Sequence, residues 1–311
     1  MHVIEYNGAM ADRDHLGAGD LAGVDAATRA AVLVEALPYI QAFADKIVVV
    51  KLGGNAMTDE ALSRSFAADI VLLRAIGVRP VVVHGGGPQI GEVLAQLGME
   101  TEFRDGLRVT DADTLAVARM VLAGRVGADI VAAINTHDRV AVGLSGEDAG
   151  LIVATQRSEA LGYVGDVVDV NRRILDTLLR DHFIPVISTI GADATGQAFN
   201  INADSAAIAI AESLGAEKLI YLTDVPGVLT DVAEPSSLVS RLSASRARLL
   251  IADGVIAGGM IPKVGACLDA VDAGVGSAHI LDGRIAHVVL LELLTDAGVG
   301  TMLTRSDRTG S

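Results

Sequence analysis

The fold of this chain is constrained most by two runs of β-branched residues that each end in a glycine turn. The first run spans residues 48–54 and the second spans residues 81–87. A helical pattern follows each turn, so the two turns are predicted to lie side by side at the carboxyl ends of neighbouring parallel strands. Such turns bring backbone N–H groups close to an anion without a clash from Cβ. Lys51, near the end of the first strand, adds positive charge, and this combination is what phosphoryl transfer requires.

Strand and helix patterns alternate through most of the chain. Continuous β-branched strands separated by amphipathic helices predict an α/β fold whose parallel sheet is covered on both faces. Residues 150–171 and 191–199 differ, and each segment is predicted to form a hairpin. The predicted buried strands are 47–52, 80–84, 139–144, 184–188, 218–222 and 277–281. The predicted helices are 58–76, 88–97, 111–135, 172–181, 203–214, 243–251 and 263–273.

The N-terminal residues depart from this alternation. Residues 1–23 mix Gly, Asp, His and Ala without periodicity and are predicted to be a disordered tail. Residues 24–45 carry a helical apolar stripe that includes Ile40 and Phe43, with Pro38 inside the helix. Proline removes one backbone hydrogen bond, so the helix is predicted to be kinked. Its stripe could pack on its own domain or dock on another subunit.

Composition excludes several classes of function. The net charge of −15 disfavours non-specific binding to nucleic acid. No long uncharged apolar stretch predicts a membrane span, and no basic-then-apolar order predicts a leader peptide. The single cysteine, Cys267, excludes an intrachain disulfide and favours a cytoplasmic location. An anionic ligand would need local positive charge, so each lysine beside a glycine turn is informative.

Two segments after the first strand are candidates for ligand binding. Residues 84–89 place three glycines before a helix, with Pro88 in its first turn, and this pattern favours binding over a plain tight turn. His84, in contrast, is more typical of a structural side chain, because it has no metal-ligand companions. Arg108 follows a glycine turn, and a guanidinium is the best clamp for a carboxylate. An ordinary surface arginine would fit this position equally well.

Polar residues alternate at the start of an Ala-rich helix. Asn200, Asn202 and Asp204 are spaced by two residues. One N-cap residue suffices for a helix, and Asp204 alone could supply it. Three polar side chains therefore indicate a functional role more than a cap.

Two later segments point to a nucleotide. Lys263 lies in the first turn of a helix that follows Gly258 and Gly259, where the positive helix end disfavours a lysine. A bound polyphosphate would reverse that preference. Thr223 and Asp224 end a strand before a Pro-Gly turn, which could be an ordinary β-turn or the wall of a nucleotide pocket.

Taken together, these segments resemble the amino acid kinase family, and most specifically its members that act on N-acetyl-L-glutamate. The resemblance runs from about residue 29 to residue 303 and rests on residues 51–57, 84–90, 106–110, 200–204, 222–228 and 259–263. It implies a three-layer αβα sandwich with a mainly parallel open sheet, as in carbamate-kinase-like proteins. It also implies an N-terminal lobe, residues 46–214, for the amino-acid substrate and a C-terminal lobe, residues 215–311, for ATP with Mg²⁺. The implied reaction moves the γ-phosphoryl group of ATP to the substrate γ-carboxylate, giving an acyl phosphate for arginine synthesis.

The resemblance implies a role for each matching residue. Lys51 and Lys263 would approach the transferring phosphoryl group from opposite ends, and Asp204 would hold both lysines. The residues implied to bind the substrate are Gly86, Gly87, Arg108, Asn200 and Asn202. The residues implied to bind the nucleotide are Gly53, Gly54, Thr223, Asp224, Gly259 and Met260. No residue is implied to hold a resident metal, since nucleotide phosphates would hold most of the Mg²⁺.

The resemblance also bears on regulation and assembly. Family members that arginine inhibits have a kinked N-terminal helix that links dimers into a ring-shaped homohexamer. Residues 29–46 resemble that helix, and a helix used only for assembly is the alternative. The positions that match the arginine site are Tyr39, Lys218, Glu292 and Gly298.

Two other functions stay open at this point. A kinase for a carrier-linked aminoadipate or glutamate would need few changes in the substrate pocket. A non-catalytic arginine sensor on the same scaffold is the second alternative. Retention of Lys51, Asp204 and Lys263 together disfavours the sensor.

Overall fold

A computed structural model describes residues 23–53, 59–296 and 298–306 of the chain. The predicted tail lies outside these residues except for Gly23, and so does Gly54. The strands are β1 (Ile47–Leu52), β2 (Arg79–His84), β3 (Phe103–Arg104), β4 (Leu107–Arg108), β5 (Ala141–Ser145), β6 (Ile152–Gln156), β7 (Val164–Val170), β8 (Ile184–Ser188), β9 (Ile190–Ala192), β10 (Ala198–Ile201), β11 (Lys218–Thr223), β12 (Arg241–Ser243), β13 (Ser277–Asp282) and β14 (Thr301–Thr304).

Helices connect most of these strands. They are α1 (Ala26–Glu35), α2 (Leu37–Phe43), α3 (Glu60–Ala75), α4 (Gly87–Gln96), α5 (Ala112–Arg119), α6 (Ala128–His137), α7 (Arg173–Arg180), α8 (Ala203–Leu214), α9 (Ala244–Ala252), α10 (Met260–Asp272) and α11 (Val288–Leu294). A π-helical segment, Met120–Gly127, joins α5 to α6.

Within the described residues, eight strands form one open sheet in the order β12-β14-β13-β11-β1-β2-β8-β5. Strand β14 runs antiparallel to β13, and the other neighbouring strands of this sheet run parallel. The prediction of a mainly parallel open sheet is therefore confirmed. The four strands from β11 onward occupy one half of the sheet, and the four strands that precede α8 occupy the other half. Strands β1 and β11 meet at the centre.

Helices cover both faces of the sheet, as the sequence predicts. Val49 of β1 packs in one core cluster with residues such as Ile210 of α8. Val48, on the opposite face, packs in a second cluster with residues such as Ile70 of α3. A strand buried on both faces needs apolar residues at every position, which explains the continuous runs of valine. The three layers place the glycine turns at one exposed edge of the sheet.

The two predicted hairpins form a small second sheet. Strands β6 and β7 pair antiparallel, and so do β9 and β10. Parallel pairing of β7 with β10 and of β6 with β9 closes this four-stranded sheet on itself. Its last strand leads directly into α8, so the small sheet fixes where that helix begins.

Several element boundaries differ from the predictions. The single helix predicted over 111–135 is interrupted by the π-helical segment and ends at His137. The helix predicted from residue 263 begins at Met260, so Lys263 lies at its fourth position. Hydrophobic periodicity does not distinguish a π-helical turn from an α-helical turn over so few residues.

The kinked N-terminal helix forms as two helices that meet at Ala36. Pro38 lies in the first turn of α2, where its missing N–H leaves no bond unmade. Ile40 and Phe43 pack against the core, whereas Val32 and Leu33 of α1 are 59% and 74% exposed. Within the described residues, no helix combines the length and the apolarity that crossing a membrane requires.

Candidate active site

The candidate site lies at the carboxyl ends of the central parallel strands. In the register of the sheet, Lys51 of β1 is paired with Tyr221 of β11, and Leu52 is paired with His84 of β2. Two cavities open at the carboxyl ends of these strands. The Arg108 cavity, of about 180 Å³, lies on the side of β2 and the small sheet. The Lys263 cavity, of about 270 Å³, lies between β1, β11 and α10.

The Lys263 cavity collects most of the residues predicted to act on a nucleotide. Its walls include Lys51, Gly53, Asp204, Thr223, Asp224, Gly259 and Lys263. Met260 does not line it, and this side chain packs instead against the core cluster under α10. Seven of the residues predicted to act on a nucleotide or on the transferring group therefore share this cavity, and Met260 does not line it.

A short ion pair joins two elements in this cavity. Lys51 Nζ lies 2.9 Å from Asp204 Oδ1, with 17% of the lysine side chain and 39% of the aspartate side chain exposed. Lysine extends from the end of a strand, and the aspartate projects from the first turn of α8. The carboxylate thus offsets the charge of Lys51 while both side chains stay accessible from the cavity.

The second lysine has a different partner from the one predicted. Lys263 Nζ lies 3.5 Å from Asp224 Oδ1, so this ammonium is paired with Asp224 rather than with Asp204. The expectation that Asp204 holds both lysines is wrong for this structure. Asp224 follows the carboxyl end of β11 and faces the start of α10, which makes it the nearer carboxylate. The two ammonium groups nevertheless share one cavity.

The start of α10 is suited to an anion. Its N-cap, Gly259, has no side chain that could cap the helix, and the N–H groups of Met260 and Ile261 donate to the carbonyl oxygens of Ala257 and Gly258, each at 3.2 Å. What this helix end offers an anion is therefore the positive end of its dipole. Gly258, just before it, has a φ of 55°, a conformation that favours glycine. The two adjacent glycines leave space beside Lys263, since no side chain covers this helix end.

Gly53 leaves room for the end of the Lys51 side chain. A Cβ at residue 53 would lie 2.8 Å from Lys51 Nζ. The ammonium therefore rests directly over the backbone of the turn, which explains why a glycine follows the strand. The neighbouring Gly54, for which the resemblance implies the same role, lies outside the described residues.

The Arg108 cavity collects the residues predicted to bind the acceptor. Gly86, Gly87, Arg108, Asn200 and Asn202 all line it. Arg108 lies on the second strand of the short β3–β4 hairpin and is almost fully buried, which settles the open choice against a surface arginine. Its guanidinium donates to the carbonyl oxygen of Gly87 at 2.9 Å and to the hydroxyl of Thr101, and it stacks 4.6 Å from the centroid of the Phe103 ring.

The helix cap at α8 is Asn202 and not Asp204. Asn202 Oδ1 accepts from the N–H groups of Asp204 at 2.9 Å and Ser205 at 3.1 Å. The cap frees the Asp204 carboxylate to reach Lys51. Asn200 Nδ2 donates to Thr110 Oγ1 at 3.4 Å, which turns this amide toward the Arg108 cavity.

His84 is a structural residue beneath the glycine turn. Its Nδ1 lies 3.0 Å from the carbonyl oxygen of Gly85, and its Nε2 is buried without a hydrogen-bond partner. Burial lowers the pKa of this imidazole to about 4, so the ring is neutral at physiological pH. A Cβ at Gly127 of the π-helical segment would lie 3.1 Å from Nε2. The histidine therefore packs between the glycine turn and that segment.

Lys218 and Glu292, two of the residues predicted to bind arginine, lie together away from both cavities. Lys218 Nζ lies 3.0 Å from His279 Nε2, and His279 Nδ1 lies 2.7 Å from Glu292 Oε1. The other oxygen of Glu292 accepts from the N–H of Val299 at 3.1 Å. Tyr39 packs against the same core cluster as Val299. His279 is a buried member that the sequence did not indicate, since it sits inside an apolar strand pattern.

The charge states of this cluster follow from its burial, and its location follows from its place in the sheet. Burial lowers the pKa of His279 to about 4 and also lowers the pKa of Lys218. Gly298 has a φ of 49°, which suits glycine. Lys218 begins β11, so the cluster lies at the amino end of this strand, whereas Lys51 and Lys263 lie at the carboxyl ends of the central strands.

Among the described residues, no group of three or more His, Cys, Asp or Glu side chains is arranged to hold a metal ion.

Comparisons with known sequences place most of the chain in one family. A sequence profile of the amino acid kinase family matches residues 46–282. The acetylglutamate kinase of Nostoc punctiforme is 54% identical over 284 residues, which cover 91% of this chain and 95% of that protein. The acetylglutamate kinase of Saccharopolyspora erythraea is 54% identical over 285 residues, which cover 89% of this chain and 93% of that protein.

Solved structures share the fold. The N-acetylglutamate synthase of Neisseria gonorrhoeae, complexed with coenzyme A and N-acetyl-glutamate, matches with a TM-score of 0.78 and 28% identity. The match covers 89% of this chain but 63% of the synthase, so the chain spans less than two thirds of that protein. The carbamate kinase of Giardia lamblia bound to AMP-PNP matches with a TM-score of 0.61 and 20% identity, which supports the fold alone.

Proposed function

The chain belongs to the amino acid kinase family, and within it to the acetylglutamate kinases, and from this premise we propose how its two cavities carry out the reaction. The γ-phosphoryl group of ATP is transferred to the side-chain carboxylate of N-acetyl-L-glutamate, giving N-acetyl-L-glutamyl 5-phosphate in arginine biosynthesis. The Arg108 cavity takes the acceptor, and the Lys263 cavity takes ATP with Mg²⁺.

One observation carries this assignment. Asn202 and Ala203 line the Arg108 cavity, while Asp204, the next residue, lines the Lys263 cavity. The start of α8 is therefore a shared wall between the two cavities. An acceptor in one cavity and a phosphate chain in the other would meet at this wall, beside the Lys51–Asp204 ion pair. Direct transfer between two bound substrates requires such proximity.

The residues present fit a nucleotide phosphate chain. The Lys263 cavity offers two ammonium groups, the positive dipole end of α10 and the glycine turn at Gly53. These groups supply positive charge and N–H donors in a protein whose net charge is −15. When bound, ATP supplies the phosphoryl group, and Mg²⁺ offsets part of the charge of the phosphates.

The proposed chemistry depends on positioning and charge. The acceptor carboxylate is ionised at neutral pH and is itself the nucleophile, so no general base is needed. Lys51 and Lys263 stabilise the negative charge of the transferring group from two sides, and the N–H groups of Gly53 and Gly86 donate to it. Asp204 orients Lys51, and Asp224 orients Lys263.

Recognition of the acceptor follows from the Arg108 cavity. The guanidinium of Arg108 pairs with the α-carboxylate, and Asn200 orients the same end of the substrate. Leu107, Leu122 and Val164 form an apolar part of the wall, which suits the methyl group of the acetyl cap. A free amino group at that position would lose its hydration without gaining a partner.

The experiment that tests this proposal is a coupled ADP-release assay with a panel of acceptors. The panel contains N-acetyl-L-glutamate, L-glutamate, N-acetyl-L-aspartate and a carrier-linked aminoadipate. We expect N-acetyl-L-glutamate to give the highest kcat/KM, about 10–200-fold above the acceptor that is one methylene shorter. Preference for the carrier-linked acceptor would assign a different substrate. No ADP release with any acceptor would favour a non-catalytic arginine sensor.

We further propose that arginine inhibits the enzyme at the cluster of Lys218, His279 and Glu292 and that the chain forms a homohexamer, a trimer of dimers. Glu292 would pair with the ligand guanidinium, while Tyr39 and Gly298 would complete the site. Proximity to the N-terminal helices supports this idea, since Lys218 Nζ lies 5.3 Å from the centroid of the Phe43 ring. The exposed apolar residues of α1 support docking on another subunit.

Two changes test the regulatory proposal. Deletion of residues 1–45 is expected to yield dimers that arginine no longer inhibits. Glu292→Gln is expected to remove arginine inhibition with kcat unchanged. The control Glu100→Gln, at an exposed position, is expected to keep both the arginine inhibition and the kcat of the unmodified enzyme. Light scattering and ADP release measure these outcomes. A truncated enzyme that arginine still inhibits, or a hexamer after truncation, would contradict the proposal.

The domain division is part of the same proposal. Residues 24–45 serve assembly, residues 46–214 form the acceptor lobe and residues 215–311 form the ATP lobe. The division is supported by the sheet, in which the strands that precede and follow α8 occupy separate halves.

The proposed location of the protein is the cytoplasm, which the single cysteine favours.

A further inference from the structure

The hydroxyl of Tyr221 is a buried polar group that the proposed chemistry does not use. Tyr221 is 3% exposed, and its hydroxyl oxygen is buried without a hydrogen-bond partner among the described residues. Buried hydroxyl groups are normally hydrogen-bonded, so an unpaired one calls for a physical reason. Its position beside the catalytic lysine provides one.

Tyr221 lies next to Lys51 in the sheet. The two residues are register partners on the parallel strands β1 and β11, so their side chains leave the sheet on the same face. Both residues line the Lys263 cavity together with Asp204. The Tyr221 ring packs in the core cluster, which holds the hydroxyl in a fixed position.

The acceptor for this hydroxyl is identified by elimination among its charged neighbours. Solvent does not reach the hydroxyl oxygen, so the acceptor must be a protein group that moves toward it. Burial, followed by the nearby Cys267, Asp204 and Asp269, raises the pKa of Tyr221, so the hydroxyl keeps its proton and acts as a donor. Burial raises the pKa of Cys267, so its thiol stays neutral and is a weak acceptor, and Asp269 does not line the cavity. Asp204 lines the cavity and is 39% exposed, which leaves its carboxylate room to rotate.

We propose that Tyr221 is a positioning residue whose O–H donates a hydrogen bond to Asp204 when Lys51 turns toward the transferring phosphoryl group. Asp204 then has two positions, one paired with Lys51 and one bonded to Tyr221. In the second position, the Tyr221 hydroxyl replaces the Lys51 ammonium as the partner of the Asp204 carboxylate. This inference rests on the roles proposed above for Lys51 and Asp204.

The test is Tyr221→Phe, which keeps the ring and removes the hydroxyl. We expect kcat to fall about 10- to 150-fold, the effect of losing one hydrogen bond to a charged group, with both KM values within about twofold. The melting temperature is expected to stay equal or to rise, because the change removes a hydroxyl that has no partner. The matched control, Tyr163→Phe, makes the same chemical change outside both cavities and is expected to leave kcat unchanged.

A double-mutant cycle shows whether the hydroxyl acts through Asp204. In an Asp204→Asn background, Tyr221→Phe is expected to lower the residual kcat by less than about twofold, because the two effects share one interaction. An equal loss in both backgrounds would overturn the inference. A Tyr221→Phe enzyme with unchanged kcat and a higher melting temperature would also overturn the inference, because the hydroxyl would then contribute nothing to turnover. Full activity of Asp204→Asn alone would instead contradict the proposed roles of Lys51 and Asp204.

Discussion

Lys51 Nζ and Asp204 Oδ1 lie 2.9 Å apart at the wall that separates the two cavities of the site. Lys263 has its own carboxylate, Asp224, at 3.5 Å. Each ammonium is therefore paired with a separate aspartate, and in the proposed reaction each turns from that partner toward a phosphate oxygen. This arrangement determines which substitutions are expected to affect turnover.

Asp204→Asn removes the charge that orients Lys51. We expect kcat to fall by about 10²–10³, comparable to the loss of one transition-state donor, with KM values changed only a few-fold. The pair is partly exposed, so the melting temperature is expected to change little. Steady-state kinetics and thermal melts measure both effects.

A surface ion pair supplies the control for Asp204→Asn. Asp176 pairs with Arg172 at 2.8 Å on α7, away from both cavities. Asp176→Asn is expected to leave kcat unchanged. A similar loss of turnover in both variants would show that the effect of Asp204→Asn is not specific to the site.

Lys263→Ala tests the role of the second ammonium. We expect kcat to fall by about 10²–10³, because the lysine stabilises charge on the transferring group rather than only binding the nucleotide. Initial rates at saturating ATP separate kcat from KM. A variant with near-normal kcat and only a raised KM for ATP would assign Lys263 to ground-state binding.

Gly53→Ala is expected to lower turnover, whereas Gly86→Ala is expected to lower stability. A Cβ at Gly53 would press on the end of the Lys51 side chain at 2.8 Å, which can move, so we expect kcat to fall about tenfold with little loss of stability. A Cβ at Gly86 would lie 2.6 Å from Leu122 Cδ2 in the packed core, and overpacking of that kind costs about 1–3 kcal/mol. Thermal melts are expected to show a lower melting temperature for Gly86→Ala alone.

Gly265→Ala serves as the matched control for both glycine variants. Gly265 lies inside α10 with open space where a Cβ would stand, so the alanine is expected to stabilise the helix by about 0.5–1 kcal/mol. Equal melting temperatures for Gly53→Ala and Gly86→Ala would contradict the packing argument.

His84 is expected to make stability depend on pH. Its pKa is about 4 in the folded chain, below its ordinary value of 6.5, so the unfolded chain binds more protons between these values. The contribution of His84 is therefore present above pH 6.5 and is lost as the pH falls toward 4. Denaturant unfolding across this range measures it. His84→Asn is expected to weaken the pH dependence, and an unchanged slope would contradict the neutral buried state.

Much of the architecture could be predicted from residue patterns. The valine runs ending at Gly53 and Gly86 identified two neighbouring strands and their turns, because a strand buried on both faces needs apolar residues throughout. The hairpins around residues 150–171 and 191–199 were also correct, since alternation and turn residues are local signals.

The partners of the charged side chains could not be predicted in the same way. The ion pair of Lys263 with Asp224 depends on how far β11 extends beside α10, which no local pattern records. The cap at Asn202 instead of Asp204 depends on one backbone step at the start of α8. His279 and Tyr221 read as ordinary strand residues, because burial of a polar group becomes visible only when its neighbours are placed.

The central claim is that two ammonium groups meet at one transferring phosphoryl group. The most direct measurement is a crystal structure of the enzyme with ADP, Mg²⁺, N-acetyl-L-glutamate and a metal-fluoride mimic of that group. We expect Lys51 Nζ and Lys263 Nζ both to lie about 3 Å from the mimic, within hydrogen-bond distance. A structure in which either nitrogen stays with its aspartate and does not contact the mimic would contradict the account.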